Sequence, residues 1–330
     1  MSLTDWTRLH GDFFHSQKVL VTGGAGFIGS HLAEALVALG AEVTVLDDLA
    51  GGDRQNIETL ERQGLRFVEG SILDQALVNK AAAGCRFVFH QAALGSVPWS
   101  VAEPRKFQKV NIEGTLNVLE AARAGGAQRV TFAASSSAYG DSETLPKIET
   151  MPPLCKSPYA ATKLAGEALM RAWSGSYGLD TVSLRYFNIF GPRQNANSAY
   201  AAVIAAFAKA LGGGERPVIF GDGEQSRDFT YVDNAVQANL LAARRDRPIG
   251  GSVVNVACGR RVTVNELAAL MAKWMGRDDL TPIHQPDRAG DVKHSLADLT
   301  EARKVLGYEP IVSFEAGLEA TVRWYAAALV

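Results

Sequence analysis

The sequence predicts an α/β protein: a doubly wound parallel sheet with a smaller mixed α/β lobe at its C-terminal end. Three observations carry this. Short, continuously apolar runs alternate with longer stretches of helical periodicity. The first apolar run meets a cluster of glycines at once. The alternation stops near Asn188, where glycine and proline become frequent.

Lys18–Thr22 (KVLVT) lacks polar alternation, so it reads as a strand buried on both faces. Gly26–Leu39 then places Ile28, Leu32, Ala35, Leu36 and Leu39 at helical spacing, and Gly40 ends the helix. Val43–Asp47, Arg66–Glu69, Arg86–His90, Arg129–Ala134 and Val182–Phe187 repeat the buried-strand pattern. Between them lie helical stretches such as Pro104–Ala124 and Pro158–Tyr177. Such alternation gives parallel strands with helices on both faces. After Asn188, short strands and loops are expected to dominate until Thr230, with Gly212-Gly213-Gly214 and Gly221-Asp222-Gly223 as turns. Residues 232–258 read as a helix and a strand returning to the main sheet. Thr263–Met275 and Phe314–Ala328 read as closing helices, the former with Leu267, Leu270, Met271 and Trp274 as a core-facing stripe. The expected division is 17–187 plus 231–258 for the sheet domain and 188–230 plus 259–330 for an interleaved second lobe. Residues 1–16 are polar and are expected to form a short extra helix or a loose arm.

Bulk properties exclude several function classes. The 330 residues carry a net charge of -2, which offers no surplus of cations to a phosphate backbone, so a nucleic-acid partner is not expected. No run approaches roughly 18 apolar residues, so no membrane span is expected. The polar N-terminus lacks the apolar core of a signal peptide. Cys85, Cys155 and Cys258 are odd in number and far apart, which fits neither a disulfide framework nor a metal site. Reduced thiols in the cytoplasm are the expectation. His31, His90, His284 and His294 form no ligand pattern, and no metal is expected.

Gly23-Gly24-Ala25-Gly26-Phe27-Ile28-Gly29 follows the first strand and opens the first helix. A glycine pattern alone is weak, but the strand–turn–helix context makes it a Rossmann-type dinucleotide loop. Glycines permit the tight turn and let the backbone approach a pyrophosphate. The helix N-terminus then offers free N–H groups to the anion. Asp47 ends the second strand roughly 20 residues on, placed to accept the adenosine ribose hydroxyls. Asp47-Asp48 would repel a 2′-phosphate, which favours NAD over NADP, with Arg54 the one basic residue close by.

Tyr159 and Lys163 lie one helical turn apart after Pro158, so phenol and ammonium share a face. An exposed phenol titrates near ~10 and is a poor base at neutral pH. A neighbouring cation, together with the positive nicotinamide of NAD, favours the phenolate. Bringing it to neutrality needs about 4 kcal/mol of differential stabilisation. Ser135-Ser136-Ser137 follows the strand Arg129–Ala134, and ligands of such folds sit beyond the carboxyl ends of the strands. A serine there can orient a substrate hydroxyl toward Tyr159.

In combination, the motifs TGGAGFIGSHL (22–32), HQAALGSVPWS (90–100), AASSSAYG (133–140), SPYAATK (157–163), LRYFNIFGPRQ (184–194), GDGEQSRDF (221–229) and RAGDVKHSLAD (288–298) resemble the extended short-chain dehydrogenase/reductase family. The resemblance runs from about Lys18 to Tyr325 and is nearest to the nucleotide-sugar 4-epimerases. The wording of HQAALGSV and KHSLAD looks most like the UDP-N-acetylglucosamine 4-epimerases of bacterial surface-polysaccharide pathways. It implies catalysis by Tyr159, Lys163 and Ser135. For NAD it implies contacts from Gly23, Gly26, Phe27, Ile28, Asp47, Asp48, Gly52, Ser71, Ile72, Gln91, Ala92, Ala93, Asn111, Tyr159, Lys163, Tyr186 and Ile189. Ser71 departs from the pattern, since many relatives carry Asp there. For a UDP-sugar it implies Gly95, Ser96, Ser135, Ser136, Ser137, Tyr159, Asn188, Val203, Val218, Phe220, Arg227, Arg288, Asp291 and Ser295. Arg227 and Arg288 would neutralise the diphosphate with forked donors. Ser295 falls at the family's gatekeeper position, where a bulky tyrosine shields the pocket from 2-acetamido groups and a small residue leaves room. A homodimer is also implied, with helices near 104–124 and 157–177 paired in a four-helix interface.

Other activities share this framework. Dehydratases of the family carry Asp-Glu after the catalytic Thr/Ser, where this chain has Ser136 and Ser137, and decarboxylases keep a Glu in this stretch that is missing here. UDP-uronic acid 4-epimerisation is the nearer alternative, since one basic residue would suffice for the carboxylate. An NAD-bound sensor is the non-enzyme alternative; such relatives commonly lose the Tyr or the Lys, and this chain keeps both.

Overall fold

Val19, Leu20, Val21 and Thr22 are all fully buried, as a central parallel strand covered on both faces requires. The computed structural model describes residues 2–196, 202–286 and 293–328. Its main sheet has seven strands: β1 (Lys18–Thr22), β2 (Glu42–Asp47), β3 (Arg66–Glu69), β4 (Phe87–His90), β5 (Arg129–Ser135), β6 (Asp180–Tyr186) and β7 (Ser252–Val256). All are parallel, in the order β3-β2-β1-β4-β5-β6-β7. The order reverses between β1 and β4. Thr22 pairs with both Leu46 and His90, so three strand ends finish level and their loops open one crevice.

Alternate side chains of each strand feed two cores. Val19, Val21, Val43, Val45, Phe87 and Phe89 pack with Leu32, Leu36, Val236 and Leu240 on one face. Leu20, Leu46, Val88, Val130 and Phe132 pack with Val118, Leu119 and Met170 on the other. The second lobe has its own core, including Phe190, Phe207, Tyr231, Leu267, Met271, Phe314 and Leu318. Leu299, Ala302, Leu306 and Tyr308 instead join Val182, Leu184 and Val254 beside the sheet.

Of the two expectations for residues 1–16, the helix is realised. Asp5 caps Trp6–His10, and Trp6 and Phe14 are buried in the first-face core. Two details differ from the reading of the sequence. Within 188–230 a ten-residue helix, Val203–Gly212, accompanies the short strands. Its alanine-rich run has little polar contrast, and the glycines that suggested a turn are its stop signal. Pro104–Ala124 is helical but contains a π-helical segment, Lys109–Glu113. Among the described residues, no helix is long and apolar enough to cross a membrane.

A buried ion pair ties the helix Pro158–Tyr177 to β6. Arg185 donates twice to Glu167, at 2.7 Å from Nε and 2.7 Å from NH2, and both side chains are 5% exposed. Removing one partner strands a buried charge. Arg185→Met is expected to lose about 3–5 kcal/mol in urea denaturation; a midpoint equal to that of the parent would contradict the assignment.

Candidate active site

The level strand ends frame a cleft of about 740 Å³. The turn after β1 opens it. Gly23 sits at φ +70°, and a Cβ there would lie 2.6 Å from Ala92 N. A Cβ on Gly29 would lie 2.1 Å from the Gly23 carbonyl oxygen. Side chains are therefore excluded by backbone on both sides of the loop. Gly26 is the N-cap of the helix Phe27–Ala38 and supplies no side-chain cap, so its first N–H groups face the cleft. Asp47 accepts from Ala25 N and Leu49 N, both at 2.9 Å, and its burial pushes its pKa up against those bonds. A carboxylate has about four lone-pair sites, so acceptor capacity remains beyond these backbone bonds. The donor and acceptor set fits a dinucleotide: bare backbone for the pyrophosphate and carboxylate for the ribose.

The opposite wall carries the residues expected to act as acid and base. Ser157 accepts from Ala160 N at 3.1 Å and Pro158 follows, which starts the helix and sets Tyr159 in its first turn. Lys163, one turn later, is 4% exposed and donates from Nζ to the Ala133 carbonyl of β5 at 2.8 Å. Its Nζ is 6.0 Å from the Tyr159 ring centre. Burial pulls the Lys163 pKa down to about 7 and raises that of Tyr159, while a hydrogen bond from the Ser135 side opposes the rise. Ser135 ends β5, and its Oγ accepts from Ser137 N at 3.2 Å and from Ser137 Oγ at 2.9 Å. Both shifts come chiefly from burial, which disfavours the charged form of each group, the ammonium of Lys163 and the phenolate of Tyr159.

Most of the expected residues meet here. Gly23, Gly26, Phe27, Ile28, Asp47, Asp48, Gly52, Ile72, Gln91, Ala92, Ala93, Gly95, Ser135, Ser136, Ser137, Tyr159, Lys163, Tyr186, Asn188, Ile189, Arg227 and Ser295 all line the cleft. Ser295 is 9% exposed and accepts from Asn188 Nδ2 at 3.3 Å. Arg227 NH1 donates to the Lys293 carbonyl at 3.1 Å.

Six expected residues lie behind or beside this wall. Asn111 is 2% exposed and acts on the loop: it accepts from Leu94 N at 2.8 Å and donates to Leu94 O at 3.1 Å. The π-helical segment presents it there. Ser71 turns back to accept from Leu73 N at 3.4 Å, and its neighbours Gly70 and Ile72 carry the wall. Ser96 caps the helix Val97–Ala102. Val203 starts the helix Val203–Gly212, and Val218 and Phe220 sit on a short strand of the second lobe. Arg288 and Asp291 lie outside the described residues. His31 and His90 are structural: His31 Nε2 meets the Pro192 carbonyl at 3.0 Å, and His90 sits between Thr22 and Thr115.

Reasoning from sequence missed Lys147, which is 2% exposed yet lines the cleft. Its backbone pairs with Leu296 and Asp298 beside Ser295, a contact across some 150 positions with no local signal.

The sequence and the fold have known relatives. Residues 19–257 match the model of the NAD dependent epimerase/dehydratase family. The chain belongs to that family. It is 38% identical over 312 residues to a UDP-glucose 4-epimerase of Mycolicibacterium smegmatis, covering 93% of this chain and 98% of that one. It resembles the structure of a UDP-N-acetylglucosamine 4-epimerase from Methanobrevibacter ruminantium in complex with UDP-N-acetylmuramic acid, with TM-score 0.90, 41% identity, and 95% and 99% of the two chains covered. A UDP-glucose 4-epimerase from Thermotoga maritima with UDP-glucose aligns at TM-score 0.89 and 39% identity, covering 95% and 100%. The cofactor of this family is NAD.

With Tyr159 as base beside the Lys163 ammonium, turnover is expected to rise with pH as the phenol ionises, below its ordinary value of about 10. In Lys163→Met the phenol stands without its cation, and the rise moves to pH above 10. A pH–kcat profile of both proteins checks this; superimposable limbs would refute it.

Proposed function

We propose that this protein is an NAD-dependent UDP-sugar 4-epimerase that prefers UDP-GlcNAc and UDP-GalNAc and also accepts UDP-Glc and UDP-Gal. The reaction class rests on Tyr159, Lys163 and Ser135 facing a dinucleotide cradle, and on 4-epimerases among the similar chains. When bound, NAD supplies the hydride acceptor, and then the donor, for C4 of the sugar. Tyr159 takes the proton of the 4-hydroxyl as C4 is oxidised. It returns a proton once the 4-keto sugar has turned its other face to the cofactor by rotating about the pyrophosphate link. Lys163 holds the phenolate charge, and Ser135 orients the hydroxyl. No redox equivalent is consumed, so NAD that stays bound is regenerated in each turnover.

The N-acetyl preference rests on one observation: the residue in the gatekeeper place is Ser295, a small side chain in the cleft wall. Nothing bulky at that position occupies the space a 2-acetamido group needs. The homodimer is part of the proposal on the family resemblance, with the helices near 104–124 and 157–177 paired.

Two measurements test the proposal. Purified protein incubated with each UDP-sugar, without added NAD, should yield C4-inverted product by NMR, with UDP-GlcNAc and UDP-GalNAc turned over fastest. Absence of inversion with every UDP-hexose and UDP-uronate would defeat it. Ser295→Tyr should lower kcat/KM for UDP-GlcNAc by about 10–200-fold relative to UDP-Glc, the range that a steric change in a pocket delivers. An unchanged ratio would remove the gatekeeper role. Tyr159→Phe should abolish turnover; a sensor would keep its function.

A further inference from the structure

Among the described residues, three phenols line the cleft: Tyr139, Tyr159 and Tyr186. Proton transfer at a single site requires that the other two stay out of it. Tyr139 donates to Asn255 Oδ1 at 2.7 Å. Tyr186 donates to Gln91 Oε1 at 3.2 Å and accepts from Asn239 Nδ2 at 2.6 Å. Burial pushes both phenols up to about 12.

Asn239 lies on the helix Val232–Arg244, is 0% exposed, and does not line the cleft. Its amide is saturated. Nδ2 donates to Tyr186 Oη and, at 2.8 Å, to the Ala235 carbonyl; Oδ1 accepts from Thr131 Oγ1 at 2.8 Å and Gln91 Nε2 at 3.1 Å. The carbonyl of Ala235 can only accept, so Nδ2 must face it. Tyr186 then has to accept from Nδ2 and send its own proton to Gln91 Oε1, which turns Gln91 Nε2 back to Asn239. One helix carbonyl therefore sets the direction of the whole ring of hydrogen bonds.

We propose that Asn239 is a positioning residue for the cofactor end of the cleft, acting through Tyr186 and Gln91. It holds both side chains against the wall from behind and directs the Tyr186 hydroxyl away from the reacting sugar, so that Tyr159 alone exchanges protons there. This rests on the reading of Tyr159 as the acid–base group. No other residue of the helix has this reach: Asn234, also 0% exposed, spends its amide on the backbone of Ile311 and Val312 in the second lobe.

That neighbour provides the control. Asn239→Leu and Asn234→Leu each remove a saturated buried amide from one helix, so a structural cost falls on both. Asn239→Leu is expected to lower kcat about tenfold at nearly unchanged KM, within the coupling found for residues sharing a network, and to speed loss of bound NAD on gel filtration. Asn234→Leu should lower the thermal midpoint yet keep kcat and NAD retention within about twofold. If the two variants lose rate and NAD in proportion to their thermal midpoints, or if Asn239→Leu keeps both, the proposal is overturned. Should Asn239→Leu fail to fold, Tyr186→Phe, which keeps the ring and deletes the hydroxyl, must show the same split, and parental behaviour overturns it. NAD retention is read without substrate. A protein inactive on every UDP-sugar would thus defeat the proposed function, while the retention split still decides this inference.

Discussion

The proposed chemistry depends on one buried ammonium. Lys163 is held by the Ala133 carbonyl with almost no access to water. Taking an ammonium out of water is costly, and burial accordingly pulls the Lys163 pKa down to about 7. A phenolate beside it would offset that penalty by its opposite charge, and the ammonium would in turn favour the phenolate.

Two separate elements bring that pair to the cofactor. β5 supplies Ala133 and Ser135, and the helix after Ser157 and Pro158 supplies Tyr159 and Lys163. The Arg185–Glu167 pair, one turn further along the same helix, fixes its distance from β6. The glycine loop closes the opposite side by backbone contact at Gly23 and Gly29. The cleft is therefore defined by the sheet, and rigid elements rather than loops hold the reacting groups.

Polar groups behind the wall organise those that face it. Asn111 holds the Leu94 loop, and Asn239 joins Gln91, Tyr186 and Thr131. Buried amides of this kind are rigid only when every donor and acceptor is matched, and Asn239 meets that condition. Asn111 was legible as a residue near the site from its motif, but its action through Leu94 was not, because the π-helical segment that turns it inward leaves no mark in hydrophobic periodicity.

The chain's own pattern determined the strands, the major helices, the glycine cradle and the Tyr159–Lys163 face. These depend on local features: apolar runs, caps, glycines without Cβ, and spacing along one helix. Tertiary structure alone brought further buried polar residues to the cleft. Lys147 arrives beside Ser295 through pairing with a distant segment, and Asn239 reaches Gln91 and Tyr186 through helix–sheet packing. Hydrogen-bond direction and burial arise from contacts between residues far apart in the chain, and residue type along the sequence does not encode them locally.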